Sequence, residues 1–183
     1  MPEVKRDTLS RFVARMGMFT ALTAALSFLE WLLPPIPGMP PGIKLGLANV
    51  VVMFTLFCCG PRDAFVLSAL KSVFVFLARG WVAFTLSLTG SLLSVAVMLL
   101  VSRFLSKRKN YKLISVFGAI SHNIGQLCAA YFVLGTGGFL WYYLPVMVVS
   151  GAVMGLATGI VLHVVSPALE KIPVFPRKMP DRL

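Results

Sequence analysis

The residue with the most chemistry to offer in this sequence is Lys71. It stands mid-way through Ala64–Ala78, a stretch otherwise made of apolar residues and two serines. A lysine at the centre of a bilayer costs at least about 2.5 kcal/mol on insertion scales, so it faces a polar partner or a cavity unless its long side chain reaches a nearby surface. Held away from water, an ammonium attracts an anion more strongly than a surface lysine does, because less solvent screens the pair. Lys44 and Arg79 flank the same region, and Glu30 is the single acid near them, available to pair with Lys71, Lys44 or Arg79. Three cations against one acid describe a site for a small anionic or polar-headed molecule.

The second chemistry-bearing cluster is Ser115, Gly118, Ser121, His122, Asn123, Gly125 and Gln126. At about 100° per helical residue, Ser115, Gly118, His122 and Gln126 share an arc of roughly 80°, with Asn123 at its margin. A polar stripe inside a membrane must face protein or water, because hydrocarbon leaves its donors unsatisfied. It is therefore either interhelical hydrogen-bonding glue or the wall of a ligand pocket. The expected pocket lies toward the outer half of the bundle, between the first loop, the Lys71 span and this stripe.

Other chemistries lack their residues. Two histidines and three cysteines (Cys58, Cys59 and Cys128), with no CxxC, give no metal site and no disulfide framework. The six acids are Glu3, Asp7, Glu30, Asp63, Glu170 and Asp181, so no aspartate-rich pair stands ready to hold magnesium and a diphosphate. There is no phosphate-binding glycine loop and no GxSxG nucleophile turn. The expectation is a protein that is not an enzyme and carries no cofactor.

The elements that must position these residues are membrane spans. The chain has 183 residues, 58% hydrophobic and 13% charged, against roughly 45–50% and about 25% in a soluble domain. The apolar residues fall in blocks near the ~20 residues a bilayer crossing needs. Six spans are expected, at about Phe12–Leu33, Leu45–Cys59, Ala64–Ala78, Trp81–Leu105, Leu113–Leu134 and Trp141–Val165. They make an all-α integral membrane protein with one domain over residues 1–183. Prolines after the first span, Gly60-Pro61 and Gly135–Gly138 are the expected breaks. Spans two and three are short, so they tilt, thin the bilayer, or stop below the surface around a cavity. The first block is long for a cleaved signal peptide and is followed by membrane, so it is read as a span.

Charge sets the orientation. Lys5, Arg6, Arg11, Arg15, Arg62, Arg103, Lys107, Arg108, Lys109, Lys112, Lys171, Arg177, Lys178 and Arg182 fall on one side, and only Lys44 and Arg79 on the other. Basic loops stay in the cytoplasm, so fourteen against two puts both termini inside a bacterial cytoplasmic membrane. A net charge of +11 distributed this way reads as topology and contact with anionic headgroups, not as a nucleic-acid site.

Two stripes of small residues recur at four-residue spacing: Gly17, Ala21 and Ala25 in the first span, and Gly151, Gly155 and Gly159 in the last. Such stripes let helix backbones approach closely. Each either packs inside the bundle or docks a separate membrane subunit, and the first span is the better docking candidate.

Four segments together resemble one family: Pro41–Asn49 (PGIKLGLAN), Leu70-Lys71 with Arg79-Gly80, Leu86–Ser94 (LSLTGSLLS) and Gly118–Gln126 (GAISHNIGQ). They resemble the Gx transporter family, also described as heptaprenyl diphosphate synthase component I, in order over about Gly17–Gly159. That family is similar to the substrate-binding S components of energy-coupling-factor transporters. The resemblance implies a six-helix bundle that binds a vitamin-like molecule from outside and works with a separate transmembrane coupling subunit and cytoplasmic ATPases. It implies ligand contacts at Lys44, Asn49, Lys71, Arg79, His122, Asn123 and Gln126, and docking through Gly17, Ala21 and Ala25. One departure is that arginine is usual in the family where Lys71 stands, and lysine keeps the charge but loses the bidentate fork. The alternative function is a membrane subunit of isoprenoid, quinone or flavin redox metabolism, with no transport of its own.

Overall fold

The structure is a computed structural model that describes residues 9–32, 46–104, 110–135 and 137–169. Five helical elements follow one another: α1 (Leu9–Leu32), α2 (Leu47–Cys58), α3 (Pro61–Phe104), α4 (Tyr111–Leu134) and α5 (Gly137–Leu169). The described residues contain no strand. Four of these helices are long and apolar enough to cross a membrane, within Leu9–Glu30, Pro61–Phe104, Tyr111–Val133 and Tyr142–Val165. Large apolar side chains point outward on every long helix, among them Leu9 on α1, Leu77 and Phe104 on α3, Phe132 on α4, and Tyr142 and Val164 on α5. A water-soluble monomer rarely exposes apolar surface on that scale, and lipid is the solvent that accepts it. The chain is an all-helical membrane protein.

The expected third and fourth spans are one element here. Gly80, at φ 83° and ψ −174°, interrupts α3 between an arm at 61–79 and an arm at 81–104. The arms fold back on each other. Ser72 Oγ donates to Ser87 Oγ at 3.2 Å across fifteen residues of sequence, whereas a straight helix would separate them by roughly 22 Å. Phe76 and Phe84 stack edge-on across the same turn, with centroids 5.8 Å apart. The backbone region Gly80 occupies is essentially closed to residues with a side chain, which is why the turn needs no loop.

The centre of the bundle is α2. It is apolar apart from Asn49 and Thr55, and Ala48 and every residue from Val51 to Cys58 are buried. A helix with no polar face has to be covered on all sides, and α1, α3 and α5 cover it. Its start is held from α1, where the Glu30 carboxylate accepts the Leu47 N–H. Its end is closed by the Cys59 and Gly60 N–H groups on Thr55 O. Pro61 then opens α3, a position where the missing N–H would have had no partner. Arg15 of α1 binds Asp63 of α3 at 2.7 Å, pinning the ends of these helices together.

The Gly135–Gly138 break is narrower than expected. Gly135 alone stops α4, in the left-handed region with its N–H on Tyr131 O, while Gly137 and Gly138 already belong to α5. The last glycine stripe is intramolecular. A Cβ added at Gly155 would come within 2.7 Å of Val116 Cα, and one at Gly159 within 2.8 Å of Lys112 Cα, so α5 lies directly on the α4 backbone. The first stripe does the opposite: Gly17, Ala21 and Ala25 are all exposed, and a Cβ at Gly17 would meet nothing within 4 Å.

Candidate functional site

The site is built from three helices around Lys71. The first arm of α3 carries Lys71 eight residues from both Asp63 and Arg79, or roughly 12 Å of rise from each. Its side chain is buried, 8% exposed. It does not run to a surface: Nζ donates to Asn49 Oδ1 of α2 at 2.6 Å. Asn49 is placed by the first turn of α2, where its own N–H bonds Gly46 O and Gly46 adopts a left-handed φ of 76°.

The third contribution is His122 of α4, also 8% exposed. It reaches the site because α4 and the second arm of α3 cross on two glycines. A Cβ at Gly125 would lie 2.9 Å from Gly90 Cα, and a Cβ at Gly90 would lie 2.8 Å from Gln126 Cγ and 3.1 Å from His122 Cε1. Nothing larger than hydrogen fits at either position. The imidazole thus lies against the Gly90 backbone and within electrostatic reach of Lys71. Its Nδ1 is buried with no hydrogen-bond partner, as is the hydroxyl of Ser91, the residue after Gly90. Buried polar atoms normally find a partner, so two unsatisfied ones at the crossing of α4 with the second arm of α3 mark this place as unusual.

The other expected contacts divide. Gln126 packs its stem on Gly90 in the same crossing. Asn123 turns to α5 and donates to Met147 O at 2.8 Å. Ser115 Oγ likewise faces α5, 2.6 Å from Thr158 Oγ1. Arg79 is exposed at the α3 turn, and Lys44 lies outside the described residues. The polar stripe of α4 therefore divides between two neighbours: Asn123 and Ser115 bond α5, while His122 and Gln126 face α3. Sequence reasoning missed Ser87, Gly90 and Ser94 as the surface that receives α4 and the first arm. Ser94 Oγ donates to Gly118 O at 2.7 Å. Small residues three and four apart at 87, 90, 91 and 94 were the available signal.

A family model described as heptaprenyl diphosphate synthase component I matches residues 19–165. The chain belongs to the heptaprenyl diphosphate synthase component I family. The match covers every residue of the site, from α2 through α4, so Lys71, Asn49, Gly90 and His122 all lie inside the shared region of this family member. No curated protein and no solved structure matches the chain. Among the described residues, no group of three or more His, Cys, Asp or Glu side chains comes together as a metal site.

Proposed function

We propose that this member of the component I family is a substrate-binding membrane subunit of a small-molecule uptake transporter, similar to an S component, and is not itself an enzyme. The observation that carries this reading is the Lys71 ammonium, buried mid-way along the first arm of α3 and bonded to Asn49 beside His122. A buried cation on this scale is retained where it meets a functional partner, and a small anionic or polar-headed molecule is the partner its chemistry fits. Asn49 orients the ammonium, Gln126 and His122 line the opposite wall, and Arg79 and Lys44 attract the ligand from the outer side. In this reading the chain crosses the bacterial cytoplasmic membrane six times, counting α2 and each arm of α3, with both termini in the cytoplasm.

No nucleotide-binding loop occurs in the sequence, so uptake would draw on ATPases carried by other chains and coupled through a separate transmembrane subunit. The exposed Gly17, Ala21 and Ala25 face of α1 is the surface proposed for that contact. The family's description favours a second reading, a membrane subunit serving isoprenoid or quinone metabolism without transport. The test is to purify the protein in mild detergent and identify co-purified small molecules by mass spectrometry, for the parent and for Lys71→Met. An anionic or polar-headed molecule present in the parent and lost in the variant supports the uptake reading. A prenyl or quinone compound retained in both supports the second.

A further inference from the structure

We propose that Glu30 is a positioning residue of the ligand site: from α1, through the first turn of α2, it sets where Asn49 holds Lys71. The sequence offers Glu30 as a partner for a cation, and the structure gives it this further task. The inference rests on the reading of the Asn49–Lys71 pair as a ligand contact and adds what places that pair.

Three observations carry it. The first is a helix start with no cap of its own. The opening N–H groups of an α-helix have no partner within the helix, and side chains at the N-cap or two to three residues on ordinarily help to close it. In α2 the N-cap is Gly46, which has no side chain to offer. The third helical residue is Asn49, whose Oδ1 is taken by Lys71 Nζ at 2.6 Å. The second observation is that α1 supplies the missing acceptor: the buried Glu30 carboxylate accepts the Leu47 N–H. A negative group there also suits the positive end of the helix. The third is how far that bond reaches. Leu47 and Asn49 share a single turn, opened by Gly46 at a left-handed φ of 76° and closed by the Asn49 N–H on Gly46 O at 2.9 Å. Thr158 of α5 backs the same turn, 3.8 Å from where a Cβ at Gly46 would stand. A shift of Leu47 therefore carries Asn49 with it, away from or along with Lys71. α1 is tied at both ends, Arg15 to Asp63 and Glu30 to Leu47, and the exposed Gly17, Ala21 and Ala25 lie between the ties. Where α1 stands thus bears on the geometry of the ligand pair.

The experiment uses the full chain in lipid nanodiscs and nuclear magnetic resonance. Asn49, Asn110 and Asn123 are the three asparagines of the chain, so isotope-labelled asparagine gives three backbone and three side-chain amide groups. Asn110→Gln and Asn123→Gln identify the Asn49 signals by elimination, and in the Glu30 variants the other two asparagines report whether the fold is kept. Two conservative variants separate a tie from a counter-ion. Glu30→Gln keeps the acceptor and its reach but loses the charge. Glu30→Asp keeps the charge but is one methylene shorter, and so mimics a shift of α1. Glu30→Asp is expected to move the Asn49 signals by more than a linewidth, while Glu30→Gln leaves them at the parent positions. Asn49 signals that move in Glu30→Gln, with or without Glu30→Asp, make the charge the cause and overturn the proposal. Asn49 signals that move in neither variant show that the tie does not reach the site and overturn it as well. Glu30→Gln is decisive against the proposal on its own, so the test stands even where Glu30→Asp does not fold. The spectra need no ligand. Failure of the ligand reading appears instead in the comparison of co-purified molecules between the parent and Lys71→Met, and the two failures are distinguishable.

Discussion

Lys71 Nζ lies 2.6 Å from Asn49 Oδ1, so the ammonium buried mid-way along the first arm of α3 is held by an amide of the most buried helix in the bundle. The bond does two things at once: it satisfies a donor of the ammonium, and it ties α2 to α3. The energetic consequence is asymmetric. Asn49→Leu takes an acceptor from a buried charge and should destabilise the protein by about 2 kcal/mol, in the range of hydrogen bonds to charged groups. Lys71→Met removes the charge together with its desolvation penalty, so its effect should be smaller. The double variant should be more stable than Asn49→Leu alone. Thermal unfolding in mild detergent across this cycle measures the coupling. If Asn49→Leu has the same effect with and without Lys71, the bond contributes nothing.

The α3 turn makes a separate prediction. Gly80 sits at φ 83° and ψ −174°, and an added Cβ there would touch nothing within 4 Å. Any loss from Gly80→Ala is therefore backbone strain, of order 1–3 kcal/mol. The variant should melt at lower temperature, while Arg79→Ala, next to it and exposed, should melt close to the parent. Equal melting temperatures for Gly80→Ala and the parent would remove the argument that this turn depends on glycine.

These two sites also mark how far the sequence could be read. Each expected apolar block became helix, because block length and proline or glycine punctuation are local properties. The break at Arg79-Gly80 was expected in the right place, but not that a single glycine would fold the two arms together; that follows from pairing Ser72 with Ser87. The polar stripe of α4 was legible as a stripe. Which neighbour each residue meets was not, since His122 and Asn123 are adjacent in sequence yet point about 100° apart, one to α3 and the other to α5. Lys71 was legible as a residue needing a partner. Asn49 was expected only as a ligand contact, through the resemblance of KLGLAN to a family motif, and not as the partner of Lys71, because nothing in spacing alone brings α2 beside the first arm of α3. Lys44 lies outside the described residues.

Orientation is tested by labelling. With Cys58, Cys59 and Cys128 replaced by alanine, a cysteine at Gly137 should react with a membrane-impermeant maleimide added to intact cells. A cysteine at Arg62 should react only after the cells are opened. The basis is the strong excess of Lys and Arg in the loops assigned to the cytoplasm. The reverse pattern would turn the proposed topology over and place the entrance to the Lys71 site on the cytoplasmic side.

The two small-residue stripes now separate into different roles, and one pair of substitutions distinguishes them. On α5, Gly155 faces the α4 backbone with no space: an added Cβ would stand 2.7 Å from Val116 Cα and 2.8 Å from Ser115 O. Backbone cannot yield as a flexible side chain can, so Gly155→Leu must push the helices apart and should abolish folding or lower the melting temperature severely. On α1, Ala21 is exposed beside Gly17 and Ala25. Ala21→Leu adds apolar volume toward lipid and should leave the isolated protein folded with an unchanged melting temperature. What it removes is the close backbone approach that a small-residue face offers to a second membrane helix. Co-purification of a transmembrane partner from the native membrane should therefore fall in Ala21→Leu and in Ala25→Leu, while ligand binding by the purified subunit is kept. Undiminished recovery of such a partner with both variants would assign the α1 stripe to lipid contact and move the docking surface elsewhere on the bundle.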